Sequence, residues 1–232
     1  FNNMKNLLDK VIILIPAYNE AARISEVIDN CKKYFKNILI VEDGSSDTTF
    51  QEAYKAKPTF ILKHCINCGQ GASLATGIKY FLEETNYDYL ITFDADGQHL
   101  PNDALSMLKF AVKNNYSAVF GSRFLNKKSL LEVPKLKMIT LNFAKLFERI
   151  FFGISLSDAH NGLRVLSRES CRKLIRLDSS SMANGTEIAF RLLSANIKIK
   201  EFPCTILYNL NEKKSQSPLA GLNIISDLLQ KK

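Results

Sequence analysis

Asp94 and Asp96 stand two residues apart at the end of an apolar run, YLITFDADGQH (89–99), with Gln98 and His99 directly behind them. Residues i and i+2 of an extended chain point the same way, so both carboxylates address one ligand. Two carboxylates so placed repel unless something positive joins them, and Mg²⁺ is typically held by one or two carboxylates plus phosphate oxygens. Two more apolar runs end alike: VIILIPAYNE (11–20) in Asn19 and Glu20, and ILIVEDGSSD (38–47) in Glu42 and Asp43. Each feature has a plain alternative. Asp-Gly at 96–97 suits a turn, and PAYNE suits a strand-to-helix turn whose Asn caps the next helix. Three such run ends together point to a divalent cation carrying a phosphate ester.

Other residues suit the same chemistry. Gly69-Gln70-Gly71 opens a predicted helix, where backbone N–H groups meet anions. Arg123 in GSRF (121–124) and Arg164 in SDAHNGLRVLSR (157–168) offer bidentate bonds to phosphate, although surface ion pairing is the usual fate of a lone Arg. Asp158 and His160 are proton-accepting types. An acceptor that is already a phosphate anion needs no strong base, whereas a hydroxyl acceptor does. Glu187 in GTEI is either a polar contact or an acidic residue favoured in a first helical turn.

The elements that position these groups follow from periodicity. Short continuous apolar runs read as strands buried on both faces of a parallel sheet, expected at 11–15, 38–42, 59–63, 89–93, 117–120 and 197–203. Helices are expected at 20–34 (Ile24, Val27, Ile28 and Cys31 on one face), 47–56 (capped by Asp47 or a serine), 71–84, 101–113 (Pro101 in its first turn), 184–195 and 219–230. The alternation predicts an α/β fold, a mostly parallel doubly wound sheet in a single domain. The expected division is a domain at 1–205 and a C-terminal tail with an amphipathic helix at 206–232. Ligands of such sheets bind beyond the carboxyl ends of the strands, where the carboxylates gather.

Composition bounds the rest. At 232 residues the chain suits one domain with a substantial core. The net charge of +8 is uneven: residues 1–116 hold 12 Lys+Arg and 14 Asp+Glu, net −2, and residues 117–232 hold 19 and 9, net +10. The second half therefore suits an anionic partner, or is a solvated basic surface. Nucleic acid is not expected, since no basic run interleaves with aromatics. Cys31, Cys65, Cys68, Cys171 and Cys204 are scattered and odd in number. With no signal peptide before the first strand, a reduced cytoplasmic setting is expected. Cys65 and Cys68 form one CxxC, without the second pair of a structural zinc site.

Residues 125–156 combine a basic loop (NKKSLLEVPKLK) with MITLNFAKLFERIFFGISL. Lys145, Glu148 and Arg149 interrupt the apolar stretch short of a spanning length. Ile139, Phe143, Leu146, Phe147 and Ile150 fall on one helical face, which either lies on an anionic membrane or packs on the core.

PAYNE, VEDGSSD, DADGQH, GSRF and SDAHNGLRVLSR, in that order, resemble the family-2 glycosyltransferases, over roughly residues 10–205. The last two narrow the resemblance to the branch with dolichol-phosphate mannose synthase and the bacterial polyprenyl-phosphate sugar transferases. The resemblance implies a GT-A fold, a UDP- or GDP-sugar donor and inverting, metal-dependent transfer to polyprenyl phosphate. By it, Asp96 and Gln98 hold Mg²⁺ or Mn²⁺, with Asp94 nearer the ribose or metal. Asp43 contacts the nucleoside, and Pro16, Ala17, Tyr18 and Glu20 form the opposite wall. Gly71 belongs to the anion-facing helix start, and Arg123 and Arg164 to the phosphates. Asp158 is a base or an acceptor-positioning group. The motif more often reads D-x-T-S-G-F-R, so His160 and Asn161 depart from it, and His160 favours a second acceptor, a hydroxyl on a lipid-linked surface glycan. A reading from another class is a non-catalytic nucleotide-binding assembly subunit. A sugar nucleotidylyltransferase is disfavoured because the first strand ends in PAYNE rather than a glycine-rich loop. The implied location is the inner face of the cytoplasmic membrane, peripherally bound. A small membrane-anchor protein is a candidate partner, since many relatives in the branch continue into transmembrane helices.

Overall fold

A computed structural model of the chain describes residues 6–126, 145–146, 148–175, 177 and 184–207. Its strands are β1 (Val11–Ala17), β2 (Ile38–Glu42), β3 (Phe60–Lys63), β4 (Tyr89–Thr92), β5 (Ala118–Ser122), β6 (Arg164–Ser167) and β7 (Ile199–Pro203). They form one seven-stranded sheet in the order β3-β2-β1-β4-β6-β5-β7. The β1–β2, β1–β4, β2–β3 and β5–β7 pairs are parallel, while β6 runs antiparallel to both β4 and β5. Reversal of strand order beside β1 opens the crevice in which open α/β sheets hold ligands.

Helices α1 (Ile24–Lys32), α2 (Thr49–Lys55), α3 (Gln70–Glu84), α4 (Pro101–Lys113), α5 (Arg168–Arg172) and α6 (Asn184–Ser194) cover the sheet on both sides. Along β1 the side chains alternate between two cores. Val11, Ile13 and Ile15 join Ile24, Ile28 and Met107 of α1 and α4, and Ile12 and Leu14 join Leu74, Ile78, Phe81 and Ile188 of α3 and α6. This is why the run reads as continuously apolar: each face of the strand is buried against its own helical layer. The mostly parallel doubly wound sheet expected from the sequence is present.

The differences are local. Helix α1 begins at Ile24 rather than residue 20, with no side-chain cap. Asn19 instead adopts φ 53° and its Oδ1 accepts from Ser46 N at 3.0 Å, tying the β1 loop to the β2 loop. Helix α2 begins at Thr49, whose N–H donates to Asp47 Oδ1 at 2.9 Å. Strand β6 and helix α5 lie within a segment whose motif, rather than its periodicity, carries the sequence signal. Beyond β7, Ile206 bridges His99, and Leu207 N donates to Gln98 O at 2.9 Å, so the chain at 206–207 is joined to the body. The expected helix at 219–230, the basic residues 127–137, and Ile139, Phe143 and Phe147 lie outside the described residues. On the helical residues 145–146 and 148–152, Leu146, Ile150 and Phe151 are exposed rather than packed on the core.

Candidate active site

The carboxyl ends of β1, β2 and β4 meet at a cavity of about 480 Å³. Pro16, Ala17, Tyr18 and Glu20 line one wall, and Tyr18 is 45 % exposed. Asp43, just past β2, lines the cavity while accepting from His64 Nδ1 (2.7 Å) and Cys68 N (3.0 Å) through Oδ1, and from Gly69 N (2.7 Å) through Oδ2. Its carboxylate thus sets the path of the 64–69 loop into α3. Gly44 makes the fold of this loop feasible: φ is +64°, and a Cβ there would sit 2.4 Å from the Ile66 carbonyl carbon. Gly69 and Gln70 line the cavity at the α3 N-terminus.

Asp94 and Asp96 face the same cavity from the loop after β4. Asp94 Oδ2 pairs with His99 Nε2 at 3.0 Å, and its Oδ1 accepts from Gln70 Nε2 at 3.2 Å. Asn184 Nδ2 in turn donates to Gln70 Oε1 at 3.1 Å, so α3 and α6 both steady this carboxylate. Burial pushes Asp94 up, but the His99 hydrogen bond and charge, with the Arg164 and Arg123 guanidiniums, outweigh it and hold the carboxyl below its ordinary range. Asp96 goes the other way: burial first, then the Asp94 charge, raise it, against the Gln98 N–H bond to Oδ1 (3.0 Å). Two neighbouring carboxylates, one of them destabilised as an anion by the other, form a hard-oxygen donor set that suits Mg²⁺ or Mn²⁺ beside a phosphate.

The far wall comes from the loop before β6. His160, Gly162 and Arg164 line the cavity. Gly162 lets the backbone press on Asp94; a Cβ there would lie 2.0 Å from Asp94 Oδ2. Arg164 is only 2 % exposed, its guanidinium 5.3 Å over the Phe120 ring, with Nε unpartnered among the described residues. Burial lowers it to about 10 against the opposing pull of Asp94 and Asp158, which leaves it a cation at neutral pH. His160 Nε2 lies 3.0 Å from Glu148 Oε1, and the same oxygen accepts from Thr186 Oγ1.

Among the described residues, the lining does not include Gly71, Gln98, Arg123 or Asp158. Gly71 is one residue deeper in α3, and Gln98 uses its backbone to hold Asp96 and Leu207. Arg123 and Asp158 are buried against each other, with Nε to Oδ2 at 2.7 Å and Arg123 N to the same oxygen at 3.0 Å.

Residues 12–175 match the family described as Glycosyl transferase family 2. The chain belongs to this family. Within it, the chain is 32 % identical over 227 residues to an uncharacterised protein of Methanocaldococcus jannaschii, covering 97 % of this chain and 93 % of that one. It is 28 % identical to a UDP-N-acetylglucosamine–dolichyl-phosphate N-acetylglucosaminyltransferase of Methanococcus voltae (97 % and 98 % covered). It is 26 % identical to a polyprenol monophosphomannose synthase of Mycolicibacterium smegmatis (93 % and 83 %). Its fold is that of the GT-A glycosyltransferases: glucosyl-3-phosphoglycerate synthase of Mycobacterium tuberculosis superposes with a TM-score of 0.74 at 14 % identity, over 98 % of this chain and 84 % of that one. That synthase has also been solved with Mg²⁺ and UDP (TM-score 0.70, 14 % identity, 99 % and 82 % covered).

For this family-2 chain, sequence reasoning misses Glu148 and Asn184. Glu148 reads as a charge interrupting an apolar stretch, yet it is 2 % exposed, accepts from Thr186 Oγ1 and lies 3.0 Å from His160 Nε2. Asn184 stands at the start of α6 in NGTE, and only its contact with Gln70 reveals a role.

Proposed function

We propose that this chain moves a sugar from a nucleoside-diphosphate sugar to a polyprenyl phosphate, inverting the anomeric centre. The observation that carries the reading is the polarity of the cavity: Asp94 and Asp96 on one side, Arg164 and His160 facing it from the 159–164 loop. Two relatives that act on dolichyl phosphate or bear the name polyprenol monophosphomannose synthase, each aligned over nearly all of this chain, support the acceptor class. In this reading Tyr18 and Asp43 flank the nucleoside. Asp96 with Asp94 would hold Mg²⁺ or Mn²⁺, which when bound neutralises charge on the departing diphosphate. Gln98 is a further ligand candidate.

Arg164 holds a fixed positive charge where an anionic acceptor must arrive, at a buried site where such a charge is weakly screened. One acceptor oxygen attacks the anomeric carbon as the bond to the diphosphate breaks, and no proton has to be removed. Arg123 and Asp158, paired behind this wall, orient the loop that carries His160 and Arg164. The exposed Leu146, Ile150 and Phe151, with Lys145 and Arg149 among them, suit contact with an anionic bilayer holding the acceptor. No helix among the described residues is long and apolar enough to cross a membrane.

The test is product formation from UDP- and GDP-sugars with Mg²⁺ or Mn²⁺, with and without undecaprenyl phosphate. A chloroform-soluble sugar-phosphate lipid supports the reading and names the donor. Donor consumption without lipid product moves the acceptor to a hydroxyl. His160 lines the cavity with Nε2 3.0 Å from Glu148 Oε1, and an imidazole at this wall, able to accept a hydroxyl proton, favours that second reading. Nucleotide binding without turnover returns the non-catalytic subunit.

A further inference from the structure

Cys68, the second cysteine of the CxxC, gains two partners in the fold that the sequence does not reveal. Asp43, His64 and Cys68 each offer a ligand atom, and these atoms lie within 4.8 Å of one another. His64 follows directly on β3 and its Nδ1 is 2.7 Å from Asp43 Oδ1. On the other side of the ring, Nε2 is 3.0 Å from Thr76 Oγ1 on α3. Thr76 takes either tautomer. It donates to a bare Nε2 when Nδ1 carries the proton, and accepts from Nε2–H when Nδ1 is a ligand. Cys68 is exposed, and its thiol, which donates to Ile66 O at 3.5 Å, turns toward the pair by side-chain rotation.

We propose that Asp43, His64 and Cys68 bind a thiophilic divalent cation of the Zn²⁺ class and that its binding opposes that of the nucleotide. The donor set is imidazole, thiolate and one carboxylate, which selects Zn²⁺ over Mg²⁺, and its chemistry differs from the all-oxygen pair at Asp94 and Asp96. Tetrahedral zinc sets nitrogen and sulfur ligands about 3.6 Å apart and nitrogen and oxygen ligands about 3.3 Å apart, so the cluster closes when Cys68 rotates and the 2.7 Å His64–Asp43 contact opens by about half an ångström. Binding releases the thiol proton, while the imidazole keeps its one proton, now on Nε2 facing Thr76. Water fills the fourth position. The antagonism rests on the reading of Asp43 as a nucleoside contact; the metal site does not.

The experiment titrates the full chain with Co²⁺ as a spectroscopic stand-in, then adds Zn²⁺. A thiolate-to-cobalt charge-transfer band is expected in the wild type and in Cys65→Ser, lost in Cys68→Ser and His64→Gln, and bleached by one equivalent of Zn²⁺. Thermal unfolding of the variants shows that the fold is kept, and Cys68→Ser alters only an exposed side chain. Absence of the band in the wild type, or its survival in Cys68→Ser, overturns the site. UDP affinity is then measured with and without saturating Zn²⁺. A loss of about tenfold is expected, and unchanged affinity overturns the antagonism while leaving the transferase reading to its own assay.

Discussion

Replacing Gly162 with Ala tests whether the position of Asp94 matters to transfer. Gly162 does not need a left-handed backbone, so the substitution adds one methyl group and little else. That methyl would stand 2.0 Å from Asp94 Oδ2 and 2.4 Å from Cγ and Oδ1. An ordinary carbon–oxygen contact is about 3.3 Å, so the carboxylate or the β6-side loop must retreat by about 1 Å. Asp94 then gives up its 3.0 Å bond to His99 and its 3.2 Å bond to Gln70. Hydrogen bonds to a charged group contribute roughly 1.5–3 kcal/mol each. Partial relaxation leaves an expected stability loss of about 2 kcal/mol. A misplacement of about 1 Å at a reacting centre costs on the order of 100-fold in rate. The assay pairs initial transfer rates across a Mn²⁺ titration with urea unfolding of Gly162→Ala, Asp94→Ala and the double variant. Because Ala at 94 removes the atoms that clash, the Gly162→Ala stability loss should shrink in that background. Wild-type turnover by Gly162→Ala, together with strictly additive stability losses, would refute the reasoning.

Asp96→Asn should abolish metal-stimulated transfer, yet stabilise the metal-free protein at neutral pH. The sign follows from Asp96 being raised by burial and by Asp94: its ionisation weakens the fold as pH rises through that raised value, and Asn removes the penalty. Thermal unfolding in EDTA across the carboxylate range checks this, and a lower melting temperature at neutral pH contradicts it. Asp94 is depressed, so its contribution is present above the ordinary carboxylate value and lost as pH falls through its lowered one; Asp94→Asn should flatten acid unfolding there. Arg168→Met should destabilise by roughly 3 kcal/mol, since Arg168 donates to the carbonyls of Leu82, Thr85 and Tyr87 around the α3 C-terminus; chemical denaturation measures it. Changing Lys127, Lys128, Lys135 and Lys137 to Gln, or Ile150 and Phe151 to Ser, should weaken sedimentation with anionic liposomes, and equal sedimentation of both variants with wild type refutes the surface contact.

The centre of the sheet and its carboxylate edge are legible in the sequence because β1 and β2 are buried along their whole length and β4 at three of its four residues. A short, continuously apolar run bounded by turn residues fits a doubly buried strand better than any amphipathic element, and its end marks the ligand side. Strand β6 is hidden for the opposite reason. It is four residues long, begins with Arg164 lining the cavity and ends in a serine that caps α5, so it carries almost no apolar signature. Its antiparallel place between β4 and β5 depends on partners far away in sequence. Glu148 is obscured likewise: a charge on an apolar helix reads as a solvent-facing residue until the chain folds His160 and Thr186 over it. Proximity of His64 to Asp43 follows from the parallel pairing of β2 with β3, which places Glu42 opposite Lys63 and brings the next residues together.

The loop that carries His160, Gly162 and Arg164 has no regular structure of its own before β6, so something must fix it. Glu201 on β7 accepts from the Ser157 and Asp158 N–H groups at 2.7 and 3.1 Å. Asp158 then accepts from Arg123 N and Nε, just past β5, and from Asn161 Nδ2 at 3.3 Å within the loop. With three donors on this one buried oxygen, drawing the carboxylate toward an acceptor proton would break the bonds that hold the loop. Its second oxygen, Oδ1, is buried without a hydrogen-bond partner among the described residues, and the Asp158 charge acts on Arg164 as well. Strands β5 and β7 therefore set the wall of the cavity that carries His160 and Arg164 through Arg123, Asp158 and Glu201, while β1, β2 and β4 set the wall that carries Asp43, Asp94 and Asp96. Substitutions at Asp158 act on both Arg123 and Arg164, and a loss of transfer in such a variant measures the placement of these cations before it measures any proton abstraction.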